Sequence, residues 1–187
     1  MRIISGYLKG KKISFLKNQN TRPLRDMVKE NVFNVLEHSN NINLKIKDSN
    51  ILDLYSGVGS FGIECISRDA KKVTFIEKDK NAQLILTENF EKLEIENKAQ
   101  LYKKSASDYF KIWKKEKFDI IFMDPPYKDN GFFEELKIMS KIRIYNTNHV
   151  VIIHRENEIN EDLSKIFNIL VIKKYGRSKI YFGKLTN

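Results

Sequence analysis

Asp53-Leu54-Tyr55-Ser56-Gly57-Val58-Gly59-Ser60-Phe61-Gly62 is the stretch whose reading decides the fold. The apolar residues from Ile51 to Leu54 predict a short buried strand, and Gly59 to Ser67 carries helix-like periodicity. Glycines between a strand and a helix let the backbone bend sharply and approach a ligand at the positive helix end. Working outward, further strands are predicted at Lys72 to Ile76, Ala99 to Tyr102, Phe118 to Met123, His149 to Ile153, Ile169 to Lys174 and Lys179 to Gly183, with helical segments at Lys80 to Leu93 and Gly131 to Ser140. Such alternation predicts an α/β, Rossmann-like parallel sheet covered on both faces, with ligands at the carboxyl ends of its strands. Only Tyr175-Gly176-Arg177-Ser178 separates the last two strands, so they must pair antiparallel and the sheet is mixed.

Upstream, Arg2-Ile3-Ile4-Ser5 and Lys12-Ile13-Ser14-Phe15 read as a β-hairpin joined through Gly6 and Gly10. Pro23 stands where a helix can begin, and Met27, Val28, Val32, Phe33, Val35 and Leu36 make one apolar face behind it. A polar connection from His38 to Asn50 separates an extension, residues 1–40, from a main domain, residues 41–187. The 187 residues are 41% hydrophobic, which suits one core. Cys65 is the only cysteine, so no intrachain disulfide forms; a reducing, cytoplasmic setting is expected, with no zinc-type cluster and no membrane-spanning run. Lys and Arg total 34 against 24 Asp and Glu, a formal charge of +10 that favours a phosphate-rich partner. His38 and His149 read as surface or strand-edge residues, and Phe110 and Trp113 as core.

Gly57-x-Gly59-x-x-Gly62 matches the dinucleotide fingerprint, and Glu77 ends the next strand about 20 residues on, where it can accept ribose hydroxyls. That pattern alone does not separate NAD from S-adenosylmethionine. Four residues, Asp53 to Ser56, precede the first glycine, and the Asp53 carboxylate would repel a pyrophosphate but suit the ammonium of a methionine moiety. S-adenosylmethionine is therefore the expected cofactor.

The apolar strand Phe118 to Met123 ends in Asp124-Pro125-Pro126-Tyr127. Two prolines fix the local backbone and remove two donors, so the Pro125 carbonyl and the Asp124 carboxylate can converge on an amine carrying two N–H bonds. The lone pair of an exocyclic base amine is delocalised into its ring, so methylating it needs orientation and hydrogen bonding. Tyr127 offers an aromatic face on which an extruded base can stack. A charged carboxylate can accept from guanine N1–H and N2–H together, whereas adenine N1 is an acceptor; the base is tilted toward guanine.

Arg2-Ile3-Ile4-Ser5-Gly6, Lys9-Gly10, Thr21-Arg22-Pro23, Phe33-Asn34-Val35-Leu36, the glycine loop, Ile76-Glu77-Lys78-Asp79 and Asp124 to Tyr127 together resemble the bacterial 16S ribosomal RNA guanine-N2 methyltransferases, the small-subunit methyltransferase D type. The resemblance implies a class I methyltransferase with a seven-stranded sheet, acting on 16S RNA in the small subunit or its assembly intermediate. It implies a cofactor site of Asp53, Tyr55, Gly57, Gly59, Glu77, Lys78, Ser105 and Ala106, and a catalytic set of Asp124, Pro125, Pro126 and Tyr127. Arg22, Arg25 and Lys29 are the candidate RNA-phosphate contacts. Leu24 departs from the family's usual threonine, Ser105-Ala106 from its Asp-Ala or Asn-Ala, and His154 from an expected acid. A DNA adenine-N6 methyltransferase, a non-catalytic RNA-binding assembly factor and, more remotely, a NAD-dependent enzyme are the competing readings.

Overall fold

A computed structural model describes residues 1–15, 26–126, 131–156 and 163–186. In chain order the elements are α1 (Asp26–His38), β1 (Asn50–Leu54), α2 (Ser60–Ser67), β2 (Lys72–Ile76), α3 (Lys80–Leu93), β3 (Ala99–Tyr102), α4 (Ala106–Ile112), β4 (Phe118–Met123), α5 (Phe132–Ile142), β5 (Tyr145–Glu156), β6 (Phe167–Tyr175) and β7 (Ser178–Leu185). The strands form one sheet in the order β3-β2-β1-β4-β5-β7-β6. The first five run parallel, while β7 is antiparallel to both β5 and β6. The expected seven-stranded mixed sheet is therefore present, and the chain reverses its direction of growth between β1 and β4, where open α/β sheets hold ligands.

Strand alternation distributes the apolar residues to two layers. Ile51, Phe75, Ile120, Phe122, Ile152 and Phe182 face α1, α2 and α3, with Phe33, Phe61 and Phe122 stacked in a row. Leu52, Ile121, Met123, Ile153 and Tyr181 face α4 and α5 on the other side. The seven-residue helix α4 was not among the predicted elements; its start is made by Ser105, whose hydroxyl accepts from Asp108 N at 3.1 Å.

Three local differences from the sequence expectations have physical causes. The N-terminal hairpin is reduced to a single Arg2–Lys12 bridge. Ile3 N still donates to Lys11 O and Ile13 N to Met1 O across that bridge, but the amides between the arms turn to α2: Ile4 N and Ser5 N donate to the Glu64 carboxylate at 2.8 and 2.9 Å, Tyr7 N to Ser67 O and Leu8 N to Ser67 Oγ. Strand β5 starts at Tyr145, ahead of the predicted His149, because Tyr145 pairs with Phe118 across an irregular step. His149 is buried, not at the surface: Nε2 accepts from Leu185 N at 3.1 Å and Nδ1 faces Asn146 O at 2.9 Å. Burial pulls the pKa of its imidazole down.

Candidate functional site

The loop between β1 and α2 is built on left-handed residues: Tyr55, Gly57 and Gly59 have φ of 60°, 54° and 86°. Ser56 N donates to Ile76 O at 3.1 Å and Gly59 N to Ser56 O at 2.8 Å, which folds the loop back over the end of β2. The three glycines divide the work. A Cβ at Gly57 would meet nothing within 4 Å, so this position faces open space. One at Gly62 would overlap the Phe75 ring and lie 2.9 Å from Val73, and one at Gly59 would collide with Leu86. Gly62 and Gly59 thus permit close helix packing, while Gly57 leaves room for a ligand.

Carboxylates line this end of the sheet. Glu77 accepts from Gly57 N and from Asp79 N, both at 2.7 Å, which holds its side chain against the glycine loop. Asp53 is almost fully buried and accepts from Gly62 N at 3.0 Å. Burial pushes its carboxyl well above the usual range, the Gly62 amide pulls it back, and the negative charges of Asp124 and Glu77 raise it further. A bound cation would relieve the rise at Asp53 and hold its carboxylate ionised, whereas the negative charge of a pyrophosphate would add to it. The ammonium and ribose diol of S-adenosylmethionine fit these residues; the phosphates of NAD do not. Tyr55 also belongs to this rim, its hydroxyl donating to the Glu135 carboxylate of α5.

Of the further residues expected to line the cofactor, Ala106 is buried and Lys78 is exposed. Ser105 is committed to starting α4, its hydroxyl also donating to Asp108 Oδ2 at 2.8 Å. Asp108 is held below the usual carboxylate range by hydrogen bonds from Lys111 and then Ser105.

Asp124 follows β4 on the next strand over from Asp53. Its Oδ1 lies 2.9 Å from His154 Nδ1, and Pro126 O accepts from Arg155 Nη1 at 3.2 Å. Among the described residues nothing donates to Asp124 Oδ2 or to the Pro125 carbonyl. Two acceptors one residue apart remain at the end of a central strand, suited to an amine with two N–H bonds. Tyr127 lies outside the described residues.

Arg22 and Arg25, with Thr21, Pro23 and Leu24, also lie outside them. Lys29 corrects the expectation of a basic RNA-facing helix surface. It is fully buried, donates to Arg2 O at 2.8 Å and pairs with Glu64 at 3.6 Å, so its ammonium ties α1 to the N-terminal segment and cannot reach a phosphate. Four residues were given no role by sequence reasoning: Asn89, which donates to both Ser14 O and Val58 O and so pins the N-terminal segment to the glycine loop, and Glu135, His154 and Arg155. For the last two the available signals were a histidine and an arginine directly after the apolar run Val150 to Ile153, and the departure of His154 from the acid expected there.

A family model described as "conserved hypothetical protein 95" matches residues 1–184. A "Ribosomal RNA small subunit methyltransferase D" of Buchnera aphidicola is 32% identical over 187 residues, covering 100% of this chain and 92% of that protein. The protein of the same description from Haemophilus influenzae is 32% identical over 160 residues, 84% of this chain and 80% of its own length. Among solved structures, a Haemophilus influenzae protein described provisionally as a methylase superimposes with a TM-score of 0.78 at 28% identity, over 100% of this chain and 98% of that one. An Escherichia coli protein described provisionally as a methyltransferase gives 0.84 at 24% identity, over 99% and 97%, and speaks to the fold alone.

Proposed function

Because the chain belongs to the conserved hypothetical protein 95 family, with the small-subunit methyltransferases D as relatives, we propose that it methylates the exocyclic N2 amine of a guanine in 16S ribosomal RNA, using S-adenosylmethionine. The observation that carries this reading is the end of β4, where among the described residues nothing donates to Asp124 Oδ2 or to the Pro125 carbonyl, near the carboxyl groups of Asp53 and Glu77. When bound, S-adenosylmethionine supplies a methyl group on a sulfonium centre that is displaced in line. Asp53 takes the ammonium of the methionine moiety and Glu77 the ribose hydroxyls, while Gly57 leaves the space both need.

Asp124 and the Pro125 carbonyl accept from the target amine and aim its nitrogen at the methyl group. As the N–C bond forms, positive charge develops on that nitrogen, and the nearby carboxylate stabilises it and takes the surplus proton. A carboxylate has about four lone-pair positions, so the one used by His154 leaves room for guanine N1–H as well as N2–H. Most of the rate comes from positioning rather than from strong acid–base chemistry. The net charge of +10 supports an RNA or small-subunit particle as partner through counterion release. Arg22 and Arg25 are proposed to contribute to that grip, and residues 1–40 to present them from the cytoplasmic enzyme to the RNA.

The test incubates the protein with labelled S-adenosylmethionine and small subunits from a strain lacking the modification. N2-methylguanosine in 16S RNA by mass spectrometry is the expected product. N6-methyladenine in duplex DNA, or no methyl transfer together with no cofactor binding by calorimetry, would refute the reading.

A further inference from the structure

We propose that His154 and Arg155, consecutive on β5, are the positioning residues that hold the Asp124-Pro125-Pro126 segment in its reactive geometry, an inference that rests on the methyl-transfer reading above. A backbone segment is normally fastened through its own N–H groups. Pro125 and Pro126 have none, and the β4–β5 ladder ends with the Met123–Ile153 pair, so beyond Asp124 the segment can be held only through its acceptors. Donors must then come from side chains on the neighbouring strand. The next two residues of β5 supply them.

Neighbouring strand residues point to opposite faces. His154 reaches Asp124 from the sheet face shared by Ile120, Phe122, Ile152 and Ile180; Arg155 reaches Pro126 from the other face, where its guanidinium lies 4.4 Å from the centre of the Phe132 ring of α5. A carboxylate only accepts, so His154 Nδ1 carries the hydrogen of this bond. Both donors are buried, 6% exposed for His154 and 0% for Arg155, whereas Asp124 is partly open. The segment is thus gripped at each end from rigid, packed side chains. Asp124 Oδ2 and the Pro125 carbonyl lie between the two grips, and their separation and direction follow from them.

Loss of the imidazole frees the Asp124 side chain to rotate away from the amine. Misplacement by about 1 Å costs on the order of 100-fold in rate, so His154→Leu, which keeps the volume of a buried strand residue, should lower kcat roughly 10- to 100-fold. KM for S-adenosylmethionine should change by less than about twofold, because Asp53 and Glu77 are untouched. His154→Asn places an amide N–H where Nδ1 stood and should recover most of kcat; thermal unfolding and cofactor calorimetry on both variants confirm that they are folded and competent to bind.

An active wild-type enzyme with His154→Leu within twofold of its kcat overturns the proposal, and so does a loss in kcat that His154→Asn fails to rescue while both variants bind cofactor normally. A parallel fall in kcat, cofactor affinity and unfolding temperature in both variants also overturns it, since that pattern marks simple packing. A wild-type enzyme inactive on small subunits instead refutes the functional reading and takes this inference with it.

Discussion

Replacing Glu64 by Gln should cost this protein a large part of its stability. The Glu64 carboxylate is fully buried and meets four donors: Ile4 N at 2.8 Å, Ser5 N at 2.9 Å, Arg68 Nε at 3.1 Å and Lys29 Nζ at 3.6 Å. Glutamine keeps the shape but has one acceptor oxygen, and its amide hydrogens would confront groups that are themselves donors. It also leaves the buried Lys29 ammonium without its carboxylate, and breaking a buried pair from one side typically costs about 3–5 kcal/mol. At roughly 2–4 °C per kcal/mol for a chain of this size, Tm should fall by about 6–20 °C.

Burial lowers the Lys29 pKa and Glu64 raises it, so the variant's folded pKa drops further below the unfolded value. Between those two values the unfolded chain binds more protons, and stability rises with pH. The deficit relative to wild type should therefore be smaller at pH 9 than at pH 7. Adding Lys29→Met removes the stranded cation and should recover part of the loss, giving a favourable coupling in a double-mutant cycle followed by urea unfolding. A Glu64→Gln protein within about 1 kcal/mol of wild type, or a double variant whose losses simply add, would refute the account of Glu64 as the anchor of the N-terminal segment.

Gly62→Ala gains helix propensity worth about 1 kcal/mol but drives a methyl into the Phe75 ring, so a net loss of up to about 2 kcal/mol is expected; a rise in Tm would contradict the packing described for α2. Gly57→Ala adds its methyl in open space and should instead weaken S-adenosylmethionine binding in calorimetry by more than it lowers Tm. Stability should decline as pH falls through about 6.5, because the unfolded His149 imidazole protonates there while the buried one resists and needs Nε2 free to accept from Leu185. His149→Gln should be less stable at pH 7.5 yet lose less on going to pH 5.5, and an undiminished acid-side slope in urea unfolding would show that another group titrates.

Much of the fold was legible because its signals are local. Apolar runs four to six residues long marked β1 to β4 almost to the residue, and α3 was bounded by its own periodicity. The short helix α4 escaped because it spans only two turns and is started by a serine hydroxyl rather than by a long apolar stripe. The N-terminal hairpin was overread for a different reason: Arg2 to Ser5 has strand character, but the partner for its amides is a carboxylate 60 residues away. Lys29 reads from sequence as a phosphate contact because lysines are seldom buried; only the buried Glu64 opposite it makes the interior habitable.

What the sequence by itself determined is the order of strands and helices, the glycine loop with its acidic neighbours and the proline-stiffened acceptor pair after β4, because each depends on residues adjacent in the chain. Tertiary structure alone decided which glycine faces open space, that the charges of Asp124 and Glu77 reach the buried Asp53 carboxyl, and that His154 meets Asp124 while Arg155 meets the Pro126 carbonyl. Those contacts join residues about 20 to 70 positions apart, whose meeting follows from the parallel register of β1, β2, β4 and β5 and leaves no trace in local periodicity.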